Sequence, residues 1–181
     1  MSGGAAVTAP SGAADKTTAL ASTRCSCGNR CDPVDECPRL SSVWLRPHAL
    51  HGDVVERAVR LEAIGAIATF VGVARADVER DGRRVVGLTY DAYERMAVKQ
   101  FHETCDAIRA RWPSVHRIGI EHRVGFVPVG EASVRMAVSA PHRRDALRAV
   151  EFAIDHMKTT APIFKQEHYN EGAPAWKPNA S

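Results

Sequence analysis

No apolar run in this 181-residue chain approaches the ~20 residues needed to cross a bilayer; the longest, Ile64-Gly65-Ala66-Ile67-Ala68-Thr69-Phe70-Val71, is interrupted by glycine. The opening stretch, Met1 to Arg24, lacks both a basic start and a continuous apolar core, so it does not read as a secretory signal, and a cytoplasmic location is expected. A strong charge of one sign is missing as well. The net charge is +3, with 20 basic against 17 acidic side chains over residues 41–181. Nucleic-acid binders concentrate their basic residues in a stripe; here they are scattered apart from a few short clusters, which argues against nucleic acid and suits a small anionic ligand. Cysteine is nearly absent beyond residue 40, where Cys105 stands alone. The other four, Cys25, Cys27, Cys31 and Cys37, have the spacing C-x-C-x3-C-x5-C, which matches neither paired zinc ligands nor a common iron–sulfur run, so no metal is expected.

What is present is enough apolar material, 45% of residues, to bury the core of one domain of ordinary size. The first forty residues have no hydrophobic period and are expected to form a largely disordered extension. From Leu50 an α+β pattern begins. Asp53 is an acceptable N-cap for a short helix turning Val55, Val59 and Leu61 inward. Ile64 to Val73 reads as a buried strand, and Val86, Leu88, Tyr90 and Ala92 alternate as a second, with Asp81-Gly82 as the turn that pairs the two antiparallel. Val98, Phe101, Cys105, Ile108 and Trp112 mark a helix over Met96–Trp112, stopped by Pro113; on that face Cys105 is a small buried side chain rather than a nucleophile. Strands are expected over Val115–Val124 and Ala132–Ser139. A second helix is expected over Arg143–Lys158, with Leu147, Val150, Ile154 and Met157 as its apolar stripe.

Three basic segments fall at element ends, where function gathers. Gly72-Val73-Ala74-Arg75 follows a buried strand. Ser139-Ala140-Pro141-His142-Arg143-Arg144 leads into a helix, whose unpaired N–H groups and dipole favour a phosphate, with His142 and Arg143 adding charged donors. In the third, Pro162 forbids one continuous helix, so Lys158 ends a helix and Lys165 occupies an extended segment returning toward it. A lysine amine flanked by Phe164 and apolar neighbours serves as a proton acceptor, a nucleophile or a stabiliser of an oxyanion. From spacing alone these residues define an anion-binding site in a small α+β domain.

Longer strings carry a resemblance. Thr69-Phe70-Val71-Gly72-Val73-Ala74-Arg75, Leu88-Thr89-Tyr90-Asp91-Ala92-Tyr93 and Met96-Ala97 are followed in order by His122-Arg123-Val124-Gly125, Val129-Gly130-Glu131 and Ser139-Ala140-Pro141-His142-Arg143. Ile154-Asp155-His156-Met157-Lys158, Pro162-Ile163-Phe164-Lys165-Gln166-Glu167, Gly172 and Trp176 complete the series. Together they resemble the catalytic large subunit of molybdopterin synthase over roughly 130 collinear residues, more than a chance motif supplies. The resemblance implies an α+β fold of α/β-hammerhead type, an antiparallel sheet with packed helices and a small β subdomain, over residues 43–181. It implies a sulfurtransferase that converts cyclic pyranopterin monophosphate to the dithiolene molybdopterin. The sulfur would come from a ubiquitin-like small subunit whose C-terminal Gly-Gly ends in a thiocarboxylate, and the large subunit would be a homodimer within a heterotetramer. Lys158 and Lys165 would be catalytic. Val73, Ala74, Arg75, His142, Arg143, Gln166 and Glu167 would join them in binding substrate, with no cofactor, metal, nucleic acid or membrane involved. The chain departs from the family pattern at Ala76-Asp77-Val78, where relatives often carry Asn, and at Phe164, where Trp is commoner. A competing reading, a silent paralogue that only scaffolds the partner, is opposed by the presence of both lysines.

Overall fold

A computed structural model describes residues 19–26 and 37–178. The strands are β1 (Leu20–Cys25), β2 (Leu40–Arg46), β3 (Ala66–Val73), β4 (Val85–Ala92), β5 (Ile118–Arg123), β6 (Gly125–Pro128), β7 (Ala132–Ala140), β8 (Ile163–Tyr169) and β9 (Ala175–Lys177). The helices are α1 (Val54–Ala58), α2 (Glu94–Arg111) and α3 (Arg143–Thr160). Two sheets result, a larger one ordered β1-β2-β5-β7-β3 and a smaller one ordered β6-β4-β8-β9. Every pairing is antiparallel except β2 with β5. The α+β class read from the sequence is the class observed.

α2 and α3 lie side by side on one face of the larger sheet, while the short α1 covers the other against β5 and β7. β7 is therefore sandwiched: Met136 and Val138 enter the main core with Phe101, Ile108 and Ile120, and Ala137 meets Val55 and Val59 on the far side. That double burial is why β7 reads as nearly continuous apolar sequence. α1 approaches closely because Gly119 on β5 has no side chain; a Cβ there would sit 3.2 Å from Val55. Cys105 is fully buried, and burial pushes its thiol up to about 11, in keeping with a packing role.

Several expectations give way. The strand ending at Val73 and the strand through Tyr90 do not pair; β3 runs antiparallel to β7, whereas β4 belongs to the smaller sheet between β6 and β8. The Asp81-Gly82 turn is real, with Gly82 at φ 87°, yet it supports only the isolated Val78–Arg84 bridge. Leu147 is exposed rather than part of the α3 stripe, which is completed by Ala146, Ala149 and Ala153. The expected boundary at residues 42 and 43 falls inside β2, and Leu20–Cys25, placed in the extension by sequence, pairs along β2. β1 is held to α2 by polar contacts: Arg24 donates to Asp106 at 2.5 Å and to the His102 carbonyl at 3.0 Å, and the His102 ring bonds Ser22 at 2.9 Å. Cys25 Sγ lies 2.9 Å from Cys37 Sγ, while Cys27 and Cys31 fall outside the described residues.

Candidate active site

The two sheets and the end of α3 enclose a cavity of about 520 Å³. One wall is the end of β3, with Phe70, Gly72 and Val73, continuing to Arg75 and Asp77; another is the last two turns of α3, with Ile154, Met157 and Lys158; a third is the smaller sheet, with Leu88, Tyr90 and Lys165. His122 and Ser133 close it from β5 and β7.

The smaller sheet places its residues by alternation. On β8 the side chains of Ile163, Lys165, Glu167 and Tyr169 share one face, because successive residues of a strand point oppositely. Across the ladder, Tyr90 stands opposite Lys165 and Leu88 opposite Glu167, so the same face of β4 supplies the other half of the wall. Phe164, Gln166 and His168 belong to the reverse face. Phe164 is 48% exposed and meets Tyr93 edge-on at 5.9 Å, so it does not shield Lys165 as the sequence suggested.

Pro162 has the predicted effect. α3 ends at Thr160, Ala161 turns to extended geometry with φ −74° and ψ 130°, and β8 begins at Ile163. The chain thereby folds back on itself, and Lys158 and Lys165 line one cavity. Lys158 is exposed at the helix end, and Lys165 is half-buried with Nζ 4.0 Å from Glu167 Oε1. Glu167 does not line the cavity; it anchors a chain of contacts behind Lys165. Tyr169 donates to Glu167 at 3.1 Å, Lys177 Nζ lies 4.0 Å from Glu167, and Lys177 also bonds Glu79 at 2.8 Å. The Lys177 ammonium holds the Glu79 carboxyl below its ordinary range.

Arg75 lies at the cavity mouth, its side chain 84% exposed, with Nε 2.7 Å from an oxygen of Asp77. Val73 contributes to the lining, but Ala74 does not: it is buried, its N–H donates to the Glu131 carbonyl at 3.0 Å and its own carbonyl accepts from Gly130 at 2.7 Å. Both backbone groups are occupied in fixing the loop that presents Arg75. His142 and Arg143 are exposed at the start of α3. At 1.5 Å per residue they stand roughly 24 Å along the helix from Lys158. Within one chain, then, the cavity gathers Val73, Arg75, Lys158 and Lys165 and leaves Ala74, His142, Arg143, Gln166 and Glu167 outside its lining.

Tyr90, Asp77, Ser133 and His122 were not singled out by sequence as site residues. Burial raises the Tyr90 phenol above its usual value, against the pull of a hydrogen bond with Ser133, so the hydroxyl stays protonated. Ser133 in turn donates to the Gly72 carbonyl at 3.3 Å. Alternation with Leu88 was the signal available for Tyr90. The site is thus a concave pocket with cationic donors at its mouth and an aromatic, hydrogen-bonded floor, the form of an enzyme cleft for a small anionic substrate.

Comparison with known proteins gives that cleft a family. The family model described as MoaE protein matches residues 46–160, which includes Lys158 and stops short of Lys165. Molybdopterin synthase catalytic subunit 1 of Aedes aegypti is 52% identical over 120 residues, covering 65% of this chain and 76% of the relative. The catalytic subunit of Culex quinquefasciatus is 47% identical over 127 residues, covering 69% and 80%. Among solved structures, molybdopterin synthase from Staphylococcus aureus superposes with a TM-score of 0.69 at 32% identity, covering 74% of this chain and 94% of that one. The complex of subunits 1 and 2 of molybdopterin-converting factor from Helicobacter pylori gives a TM-score of 0.60 at 25% identity, covering 74% and 88%. The chain belongs to the MoaE family and is an enzyme of the molybdopterin synthase catalytic-subunit type.

Proposed function

We propose that the chain transfers sulfur to cyclic pyranopterin monophosphate, forming the dithiolene of molybdopterin. The observation that carries this reading is the meeting of Lys158 and Lys165 in one cavity with Arg75 at its mouth. Arg75 suits the substrate's phosphate, since a guanidinium matches a phosphate bidentately. The sulfur donor is the C-terminal Gly-Gly thiocarboxylate of a ubiquitin-like small subunit, a tail slim enough to enter beside the lysines. The thiocarboxylate sulfur bonds to a carbon of the pterin side chain as the carbon–oxygen bond at that carbon breaks, the oxygen leaving as water at one carbon and staying with the opened phosphate ester at the other, so that two carriers in turn supply the two sulfurs. Water then attacks the acyl carbon, the acyl carbon–sulfur bond breaks, and the carrier leaves as an ordinary carboxylate. Lys158 and Lys165 stabilise the oxyanion formed at the acyl carbon and supply or take up protons. Glu167 supports Lys165 from behind, while Gln166 on the reverse face lies toward β9.

The working form is a homodimer with one small subunit per chain, and His142 and Arg143 act on phosphate from a second copy, since their own helix holds them away from Lys158. The deciding experiment mixes purified protein, thiocarboxylated small subunit and cyclic pyranopterin monophosphate and assays molybdopterin. Product from wild type and its loss in Lys158→Ala and Lys165→Ala are expected; no product from wild type, or full activity in both variants, would overturn the reading.

A further inference from the structure

Among the described residues His122 is the one imidazole in the cavity lining, and neither its position nor its bonding is needed for the lysine chemistry above. It lies on β5, opposite Val134 of β7 and beside Leu45 of β2, and is only 5% exposed. Its Nδ1 is 2.7 Å from the carbonyl oxygen of Arg123. A carbonyl only accepts, so Nδ1 carries the proton, and in the neutral ring Nε2 holds the lone pair. Tyr90 packs edge-on against the imidazole at 5.1 Å and 81° and fixes its plane.

Nε2 makes no hydrogen bond among the described residues, and it is not one of the side-chain atoms sealed from solvent without a partner. His122 lines the cavity, which gives its Nε2 lone pair open space to face. Burial holds the imidazole down at about 4, which keeps that acceptor unprotonated at neutral pH. The rest of the polar lining is dominated by donors: Arg75, Lys158, Lys165 and the Tyr90 hydroxyl. Asp77 is the other strong acceptor, but it lies at the mouth and is bound to Arg75. A donor-lined pocket suits a phosphate. A reduced pterin also presents ring and amine N–H groups, which need an acceptor once they leave water.

We propose that His122 Nε2 is the acceptor that reads an N–H group of the pterin ring, making His122 a substrate-binding and specificity-determining residue at the cavity floor. The inference rests on the proposed substrate, whose phosphate Arg75 holds while His122 orients the ring. A buried acceptor of this kind discriminates strongly, because a substrate analogue without the matching donor leaves it unpaired.

Two substitutions separate this role from a purely structural one. In His122→Asn the amide nitrogen takes the place of Nδ1 and keeps the bond to the Arg123 carbonyl, but nothing reaches the Nε2 position. In His122→Gln the amide reaches the Nε2 position and presents an oxygen to the cavity, while the carbonyl bond is lost. The measurement is direct binding of cyclic pyranopterin monophosphate, by calorimetry, to wild type and both variants, with thermal unfolding recorded alongside. His122→Asn is expected to weaken binding about 10- to 100-fold with an unfolding midpoint near wild type, and His122→Gln to bind within about 3-fold of wild type despite a lower midpoint. Wild-type affinity in His122→Asn, equal losses in both variants, or a loss confined to His122→Gln would overturn the inference. Failure of wild type itself to bind the pterin would instead sink the proposed substrate.

Discussion

Tyr90 and Lys165 are direct cross-strand neighbours on β4 and β8, with both side chains on the cavity face of the smaller sheet. The pairing puts an aromatic ring beside a lysine stem, so Lys165 is positioned by a rigid ladder while Lys158 is positioned by a helix end. Two lysines held by different elements keep a fixed separation only if Ala161 and Pro162 hold the joint between them.

Removing either amine should therefore reduce turnover without unfolding the protein. Lys158→Ala and Lys165→Ala are each expected to lower kcat about 10²-fold or more, the loss typical of a deleted oxyanion donor, with a thermal midpoint close to wild type because neither side chain is in the core. Single-turnover molybdopterin formation is the assay; a loss explained entirely by a lower melting temperature would contradict the assigned role.

Asp77 competes with substrate for Arg75. The ion pair is exposed, so its contribution to stability is small, whereas its removal leaves the guanidinium available to a phosphate. Asp77→Asn is expected to lower the Michaelis constant a few-fold with kcat unchanged, and Arg75→Ala to raise it about 10-fold. An increase in the Michaelis constant for Asp77→Asn would show that the carboxylate organises the guanidinium rather than occupying it.

Stability should fall with acid before the carboxylates titrate. Burial lowers both His122 and His102 to about 4, below the ordinary value near 6.5. Between those values the unfolded chain binds more protons than the folded one. The stability these neutral rings contribute is therefore complete above pH 6.5 and lost as pH falls toward 4. For the buried His122 the loss is on the order of 3 kcal/mol. Denaturant midpoints measured from pH 7 to 5 should decline in wild type and decline less in His122→Asn; parallel slopes would remove His122 as a source of the effect.

Gly72 is required by the cavity wall. A Cβ there would lie 2.6 Å from Val134 Cγ1 and 3.3 Å from Phe70 Cε1, and the stiff valine has little room to move. Gly72→Ala is expected to destabilise the protein by about 1–3 kcal/mol and to disturb the carbonyl that accepts from Ser133. Urea denaturation gives the number, and an unchanged midpoint would mean that the wall relaxes freely.

The helices and the Pro162 break were legible because they depend on local rules: the apolar period of α2 and α3, and a proline that cannot continue a helix. Strand partners were not legible. Val73 and Tyr90 look like a hairpin across Asp81-Gly82, yet β3 is taken by β7, a pairing between segments far apart in sequence. The N-terminal strand was hidden for a related reason, since Leu20–Cys25 gains its stability from Asp106, His102 and β2 rather than from a pattern of its own. At the site, the lysines and Arg75 announced themselves by charge. Tyr90, Ser133 and His122 sit within apolar strands, and only the closure of three walls reveals that they face open space. His142 and Arg143 illustrate the converse: a phosphate-binding pattern at a helix start says nothing about the distance to the other end of that helix.

The alternation along β8 makes chain length between α3 and this strand a chemical variable. Lys165 faces the cavity and Phe164 the outside only while the ladder with β4 keeps its phase. Deleting one residue at the Ala161-Pro162 joint, or inserting one, would exchange the two faces and put a phenyl ring where the amine stands. The lysine could survive every substitution scan and still be lost to a shift of frame.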